Sequence, residues 1–457
     1  MLNGNTLTVI SAAFLAVGGF LFGYDSGIIS STIALATFKD YFGNPSDDIT
    51  GGIVSSFQGG AVLGTIINMI FADMLGRKKT IFSGAVVSAL GSALQSGATS
   101  MAMLIVGRFI GGVAVVAQWV GYGCSFSGTS FSWRFPLAVQ CIPALILIGG
   151  IWFLQESPRW LMEKDKHQEA RAVLEKLRNG QNTSRINLEF IEIRDVIAAD
   201  REIAQVSAWS ILTRPTLRKR LLLGCGVQAF GPLSGINVIN YYGPRIYSIL
   251  GISTQTSLMI IGISGALSIV YCSIGLWVLD KVGRVKPLMV SAAGLAAALL
   301  VNAVQAQYLN PNNPDQLRSM VAMNFVFSLF YTPLGIISWV YPAEIFPVEV
   351  RALGNAITTF TNWVVNLVFA QFSPAALTKI GFAYFYVFFA FNIIAFLCYW
   401  FFFPETKGRT LEQMDVLFGD QLVAHALEDP EGAMASHKQA ETAAHVEEQH
   451  KDGEKIV

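Results

Sequence analysis

Long apolar runs alternate with short polar stretches along most of this chain. Each run is about 20 residues long, which is the length that a helix needs to cross a bilayer and twice that of a barrel strand. A chain inside a bilayer must satisfy its own backbone hydrogen bonds, so we predict an all-α membrane protein. Eleven runs are visible, near residues 8–30, 51–72, 80–99, 104–123, 135–154, 220–247, 257–279, 287–307, 318–343, 351–373 and 382–403.

Two polar regions divide the chain. Residues 156–219 are rich in charged and amide side chains, and helical spacing from Lys164 to Arg178 predicts short surface helices there. The chain turns polar again after Pro404, and we expect most of this tail to be disordered. The predicted domains are an incomplete first membrane half (1–155), a cytosolic helical linker (156–219), a six-helix second half (220–403) and a cytosolic tail (404–457).

Composition agrees with a membrane protein and excludes other classes. The 457 residues are 53% hydrophobic and only 14% charged, and 31 basic residues balance 31 acidic ones, which gives no basic field for nucleic acid. The sequence holds no phosphate-binding loop, no metal-ligand spacing and no Ser/His/Asp or Cys/His set. We therefore expect neither an enzyme nor a cofactor.

Basic residues predict the orientation. They gather at Gly76–Lys79, in 156–219, from Lys281 to Lys286 and beyond Lys407, so these regions and both termini should face the cytosol. This orientation conflicts with the number of apolar runs. Three runs separate 76–79 from 156–219, and an odd number of crossings places these two loops on opposite sides. Either a segment is missing or one run does not cross.

A loop motif occurs twice. Asp73-Met74-Leu75-Gly76-Arg77-Lys78-Lys79 reappears as Asp280-Lys281-Val282-Gly283-Arg284-Val285-Lys286, each after the second helix of its half. Basic turns follow many membrane helices, but two matching turns at matching places favour a parallel repeat, the organisation of major facilitator transporters.

Further motifs resemble sugar porters of the major facilitator superfamily, with a fungal style of loop sequence. The resemblance extends to about residue 419 and is carried by Gly23-Tyr24-Asp25-Ser26-Gly27, Gly107-Arg108-Phe109, Glu156-Ser157-Pro158-Arg159-Trp160-Leu161, Ser234-Gly235-Ile236-Asn237, Tyr341-Pro342-Ala343-Glu344, Asn362-Trp363 and Pro404-Glu405-Thr406-Lys407-Gly408. It implies a two-half bundle of twelve helices, monomeric in the plasma membrane. The implied function is alternating-access transport of a hexose or related polyol with a proton.

The chain departs from this family at one place. Gly107–Val113 is followed almost directly by Gln118–Gly123, which resembles the end of the family's fifth helix. About forty to fifty residues, equivalent to two half-helices and their loop, are therefore expected to be missing from helices 4 and 5. Residues 104–123 then either span and invert the later helices of the first half or form a re-entrant hairpin. Alternative splicing and an incorrect gene model are equally open explanations.

Asp25 and Arg108 are the predicted proton-coupling pair. A charged carboxylate within an apolar membrane helix has a high free-energy cost, and such groups are therefore candidates for a functional role. The resemblance implies that Asp25 pairs with Arg108 when deprotonated and releases it when protonated. The alternatives are a purely structural pair and an Asp25 that lies near the end of its helix, in water.

Amides and aromatic rings predict the substrate site, because amides bind adjacent sugar hydroxyls and a ring stacks on the sugar face. The candidates are Gln228, Asn237, Tyr241, Tyr242, Trp339, Asn362 and Asn366. The alternative for the amides is interhelical hydrogen bonding, and for Trp339 an interfacial position. Glycines should break the sixth run, and Pro333 and Pro342 should interrupt the segment of Trp339. Gly231-Pro232 replaces the family's Gln-Gln, so glucose specificity is not implied.

Charged residues at cytosolic helix ends resemble the family's inner gate. They are Asp73, Arg77, Glu156, Arg159, Asp280, Arg284, Glu344 and Arg351. The alternative is that they are simply solvated charges. Two rival functions remain open at this stage: a transporter-like sugar sensor and an inactive truncated product.

Overall fold

The structure, a computed structural model, describes residues 28–111, 131–177, 186–191, 193–194, 197, 213–249, 251–308, 313–409, 414 and 417–418. Regular structure within these ranges is helical throughout, which confirms the predicted fold class. Asp25 and most of the first apolar run lie outside the described residues, as does 112–130.

We refer to residues 28–153 as the first half. Its helices are α1 (28–34), α2 (Ala36–Tyr41), α3 (Asp47–Leu75), α4 (Arg77–Ser96), α5 (Met101–Gly111), α6 (Phe131–Val139) and α7 (Cys141–Gly150). Two short helices, α8 (Pro158–Glu163) and α9 (His167–Leu177), come next in the polar region, where the sequence predicts surface helices.

We refer to residues 215–402 as the second half. Its helices are α10 (Pro215–Leu233), α11 (Ile236–Ile249), α12 (Thr254–Val282), α13 (Val285–Gln307), α14 (Pro314–Ile345), α15 (Val348–Ile380) and α16 (Tyr384–Phe402). The predicted break in the sixth apolar run occurs at Ser234–Gly235, between α10 and α11.

Six stretches of the described chain are long and apolar enough to cross a membrane. They are Asp47–Ile67, Pro215–Ser248, Thr254–Leu279, Val285–Gln307, Asp315–Ile345 and Leu353–Phe402. Shorter apolar helices at Met101–Ile110 and Leu137–Gly150 complete the pattern. The protein is therefore a multi-pass membrane protein.

One local prediction is wrong. α14 continues from Pro314 to Ile345 without interruption, although Pro333 and Pro342 lie inside it. A proline removes one backbone donor, but neighbouring helices and small local adjustments satisfy the freed carbonyl in a membrane bundle. Trp339 therefore lies on a continuous helix.

The hydrogen bonds of α4 define the two ends of the first half. Arg134 at the start of α6 donates to the Ser96 and Ala98 carbonyl oxygens, 3.1 and 2.9 Å away, at the end of α4. Lys78 at the other end of α4 donates from Nζ to the Leu154 carbonyl at 3.1 Å. The stretch α6–α7 is therefore antiparallel to α4. We call the end with Lys78 the basic end and the end with Arg134 the far end.

The described helix ends bear on the crossing conflict. Met101 comes shortly after Ala98 and so lies at the far end, and Phe131 lies there too, beside Arg134. The loop at 76–79 and the chain at Leu154 share the basic end. The two alternatives for 104–123, spanning or re-entrant, depend on residues 112–130, which lie outside the described residues, and they stay predictions.

The two halves meet chiefly where α3 packs along α15 in the described residues. The Phe57 and Trp363 rings are 6.2 Å apart at this contact. The largest core extends across both halves, but most of its buried residues belong to the second half, where α13 packs between α14 and α16. Met414 and Phe418, in the first part of the tail, are buried against that core, and the Arg220 guanidinium lies 4.6 Å from the Phe418 ring centroid.

Candidate transport site

The repeated turns have the same backbone form. Gly76 and Gly283 each separate two helices with a positive φ, 87° and 104°, a region that side-chain-bearing residues rarely adopt. The turn at Gly283 holds the Glu405 carboxylate through backbone N–H groups. Those of Arg284 and Val285 donate at 2.8 and 3.0 Å, and those of Thr406 and Lys407 at 3.0 Å each. Burial would raise the pKa of Glu405, but these donors together hold it below its usual value.

The same turn carries an ion pair. Arg284 Nη2 lies 2.8 Å from Glu344 Oε1, and both side chains are largely buried. Thr406 Oγ1 also donates to Glu344. α13, α14 and the start of the tail are thereby joined at the basic end.

The first half repeats this arrangement more loosely. The Lys78 backbone N–H donates to Glu156 at 3.4 Å, and the Ser157 N–H donates to the same carboxylate at 3.2 Å. Glu156 thus corresponds to Glu405 in position and role.

The other predicted gate residues are placed as follows. Arg159 pairs with Glu163 on its own short helix at 3.5 Å, and Arg351 donates to the Phe346 carbonyl at 3.1 Å. The Arg351 contact and the Arg284–Glu344 pair lie within the second half, and the Arg159–Glu163 pair lies in the polar region between the halves. The side chains of Asp73, Arg77 and Asp280 fall outside what the structure describes.

The predicted sugar-binding amides meet between α10, α11 and α15. Asn362 Nδ2 lies 2.9 Å from both the carbonyl oxygen and the Oε1 of Gln228. One turn further along α15, Asn366 Nδ2 lies 3.4 Å from the Tyr241 hydroxyl. Another turn on, the Tyr242 hydroxyl donates to the Ala370 carbonyl at 2.6 Å. A ladder of hydrogen bonds therefore orients these side chains along α15.

Gly231 opens space beside this ladder. A Cβ atom at this position would lie 3.6 Å from Asn362 Nδ2, so a larger side chain would reach the same place. Asn237 is half-buried on the first turn of α11. The Trp339 side chain is 47% exposed. The structure thus brings Gln228, Tyr241, Asn362 and Asn366 together, whereas no hydrogen bond or ring contact within the described ranges joins Trp339 to them.

Arg108 is fully buried on α5. Its Nε donates to the Ile53 carbonyl at 2.7 Å, its Nη1 reaches Gln95 Oε1 at 3.5 Å, and its guanidinium lies 5.5 Å from the Phe57 ring centroid. A charge at this depth must be stabilised by acceptors or an opposite charge. The predicted partner, Asp25, lies outside the described residues.

At the far end, an ion pair joins the halves. Arg245 Nη1 on α11 lies 2.7 Å from Asp47 Oδ1 at the start of α3. Thr378 on α15 accepts from Arg245 Nη2 at 2.6 Å and donates to Asp47. Beside this pair lies a cavity of about 420 Å³, lined by residues that include Ser30, Lys39, Asn44, Asp47, Tyr241, Tyr242 and Arg245.

Comparison with known proteins decides the family. The family model described as "Sugar (and other) transporter" matches residues 11–116 and 114–418. The chain belongs to this family of sugar transporters. It is therefore a membrane transporter and not an enzyme.

Individual relatives agree with this assignment. The MFS-type transporter criB of Aspergillus cristatus is 32% identical, with 92% of this chain and 96% of that protein covered. The high-affinity glucose transporter of Kluyveromyces lactis is 30% identical, with 89% of this chain and 84% of that protein covered. The proton:xylose symporter XylE of E. coli superposes with a TM-score of 0.74 at 23% identity, over 91% of this chain and 100% of XylE, and so shares the major facilitator fold.

The matches also bear on the proposed deletion. The two matched segments of the family model meet at residues 114–116, where the motifs place the junction. The alignment with criB runs over 461 positions but includes only 92% of the 457 residues, so several tens of its positions have no residue of this chain. The deletion itself stays a prediction.

Two features of the transporter escaped sequence analysis. Asp47, Arg245 and Thr378 are far apart in sequence, and only the packing of α3, α11 and α15 shows that they meet. Gln58 on α3 is fully buried with no hydrogen-bond partner for its amide among the described residues. The sequence indicates Gln58 only as a glutamine within an apolar run.

Proposed function

We propose that this transporter moves a monosaccharide or related polyol across the plasma membrane by alternating access, together with a proton. The substrate lies between the amides of α10, α11 and α15 and the facing surface of α3. The basic end and both termini face the cytosol, as the distribution of Lys and Arg indicates. The protein works as a monomer with two halves, followed by a cytosolic tail.

The contact of Asn362 with Gln228 carries this proposal. It holds two amides side by side next to a glycine, at the break between α10 and α11. Broken helices near the middle of the membrane are where transporters of this type expose polar groups to substrate. Two neighbouring amides supply donors and acceptors for adjacent hydroxyls. The names of the relatives, a glucose transporter and a xylose symporter, support the same substrate class.

Arg108 supports proton coupling. It is a fully buried cation on α5, and a carboxylate that pairs with it would lose that attraction on protonation. We assign Asp25 as this carboxylate from its place in the first apolar run. Protonation would release Arg108 and permit substrate binding, and loss of the proton would restore the pair.

The contacts between the halves support alternating access. Asp47–Arg245 and the bond from Ser55 to Gln371, 2.6 Å long, close the far end. At the basic end, the Arg284–Glu344 pair joins α13 and α14 within the second half. The structure therefore corresponds to a state closed at the far end, and opening to that side must separate Asp47 from Arg245.

The absent segment favours a second candidate, an inactive product of a longer transporter. The first half lacks the acid and the arginine that this segment would supply to the basic end in the family. A sugar sensor is the third candidate. Sequencing the transcript across the codons for Val115 to Gln118 decides whether the shorter chain is the one that cells make.

Uptake by purified protein in proteoliposomes tests the proposal. We expect saturable uptake of at least one of radiolabelled D-glucose, D-xylose and myo-inositol, stimulated by an inward proton gradient. Asn362→Ala should reduce uptake tenfold or more, and Asp25→Asn should abolish the stimulation. Binding without uptake would favour the sensor. The absence of both binding and uptake would favour the inactive product.

A further inference from the structure

The unpartnered amide of Gln58 has a functional explanation. The side chain is 0% exposed, and neither Oε1 nor Nε2 has a hydrogen-bond partner among the described residues. A buried amide without partners has lost its bonds to water and gained none in return, so it destabilises the folded state. Groups that reduce stability in this way are characteristic of functional sites.

The position of Gln58 matches the middle of the membrane. It follows Asp47, the first residue of α3, by eleven positions, which is about 16 Å along a helix. The hydrocarbon core is about 30 Å thick, so Gln58 lies near its centre. Substrate sites of transporters lie at this depth.

Gln58 is on the side of α3 that faces the second half. Helical spacing places it on one face with Gly51 and Ser55. Ser55 donates to Gln371 on α15, and a Cβ atom at Gly51 would meet the carbonyl oxygen of the same residue. The neighbouring Phe57 packs against Trp363 on α15.

A second unsatisfied amide atom lies on α15, one turn from Trp363. Asn366 donates from Nδ2 to Tyr241, but its buried Oδ1 has no partner among the described residues. The packed surfaces of α3 and α15 thus each carry an amide with unused hydrogen-bonding atoms.

We propose that Gln58 contacts the substrate and helps to determine which sugar is carried. Its amide would donate to one hydroxyl and accept from its neighbour, while Asn362 and Asn366 bind from the second half. Gln58 thereby supplies, from the first half, an amide of the kind that the family has where this chain has Gly231 and Pro232. The inference rests on the proposed sugar site.

The chain offers a matched control. Gln95 on α4 is also 0% exposed, but its Oε1 accepts from Arg108 at 3.5 Å and its Nε2 donates to the Gly107 carbonyl at 3.4 Å. Gln58→Leu should leave the thermal midpoint in detergent unchanged or raise it, since an unsatisfied amide is removed. Gln95→Leu should lower the midpoint, since it leaves buried partners unsatisfied.

Binding of D-glucose, its monodeoxy analogues, D-xylose and myo-inositol to these purified full-length variants tests the role. We expect Gln58→Leu to reduce the affinity for the tightest-binding of these ligands tenfold or more. One deoxy analogue, which lacks the hydroxyl that Gln58 contacts, should bind the wild type weakly. Its affinity should not fall further in Gln58→Leu, because the hydrogen bond between that hydroxyl and Gln58 is already absent.

Three results would overturn the proposal, and they are distinguishable. If Gln58→Leu binds the sugars with wild-type affinity, Gln58 does not contact the substrate, but the proposed function is unaffected. A lowered midpoint in Gln58→Leu, as in Gln95→Leu, shows a structural role instead. No ligand binding by the wild type overturns both the inference and the proposed function.

Discussion

The two basic turns of this transporter are built on one plan but stabilised to different degrees. In the second half, four backbone N–H groups hold Glu405 at 2.8–3.0 Å, and Glu344 pairs with Arg284. In the first half, two backbone N–H groups hold Glu156, that of Lys78 at 3.4 Å and that of Ser157 at 3.2 Å. The partner of Arg284 comes from α14, and the corresponding helix of the first half is the one affected by the predicted deletion. The predicted deletion would therefore account for the weaker hold on the first turn.

Adding the segment that is predicted to be missing should produce the largest change. We insert the aligned segment of the Kluyveromyces lactis relative between Val115 and Gln118. New packing and hydrogen bonds worth several kcal/mol should raise the thermal midpoint by about 10 °C. Differential scanning fluorimetry in detergent measures this. A Gly/Ser insert of equal length is the control, and an equal midpoint for both inserts would contradict the explanation.

Neutralising the two carboxylates one at a time should show how much each turn contributes to the free energy of unfolding. Glu405→Gln removes a charge bound by several donors and should cost about 2 kcal/mol, because hydrogen bonds to charged groups are strong. Glu156→Gln should cost less than about 1 kcal/mol, since its hydrogen bonds are longer. Denaturant unfolding measures both. Equal losses would show that the two turns contribute alike.

Acid should weaken the second turn in a predictable direction. The pKa of Glu405 lies below its usual value of 4.5, so its stabilising contribution is complete above that pH and is lost as the pH falls through the lower folded value. Wild-type stability should therefore decline more steeply than that of Glu405→Gln between about pH 5 and pH 3. Parallel curves would exclude Glu405 as a cause of acid sensitivity.

The far-end ion pair should give the smallest effect. Asp47 and Arg245 are each about one-third exposed, and such pairs contribute about 1 kcal/mol or less. Asp47→Asn should accelerate labelling of a Ser30→Cys cavity residue by an impermeant thiol reagent about threefold, which corresponds to that energy. Asp48→Asn, an exposed neighbour, is the matched control. Identical rates in both variants would show that the pair does not hold the far end closed.

The helices and the repeat could be predicted from the sequence because they depend on local spacing and on specific motifs. The amides that these motifs single out meet in the structure, and their binding of substrate stays a prediction. It did not find Arg245 with Asp47, since the contact depends on how distant helices pack. It failed at Pro333 and Pro342, where neighbouring helices override the local preference of proline. The path of 104–123 stays open, since residues 112–130 lie outside the described part of the chain.

Titration calorimetry of the purified chain with monosaccharides tests the central claim most directly, namely that the second half holds an oriented sugar site although part of the first half is predicted to be missing. We predict saturable binding of at least one sugar, weakened tenfold or more by Asn362→Ala. It should be unchanged by Asn302→Ala, which removes an amide bonded to Asn324 in the same half. No binding in the wild type, or equal binding in Asn362→Ala, would contradict it.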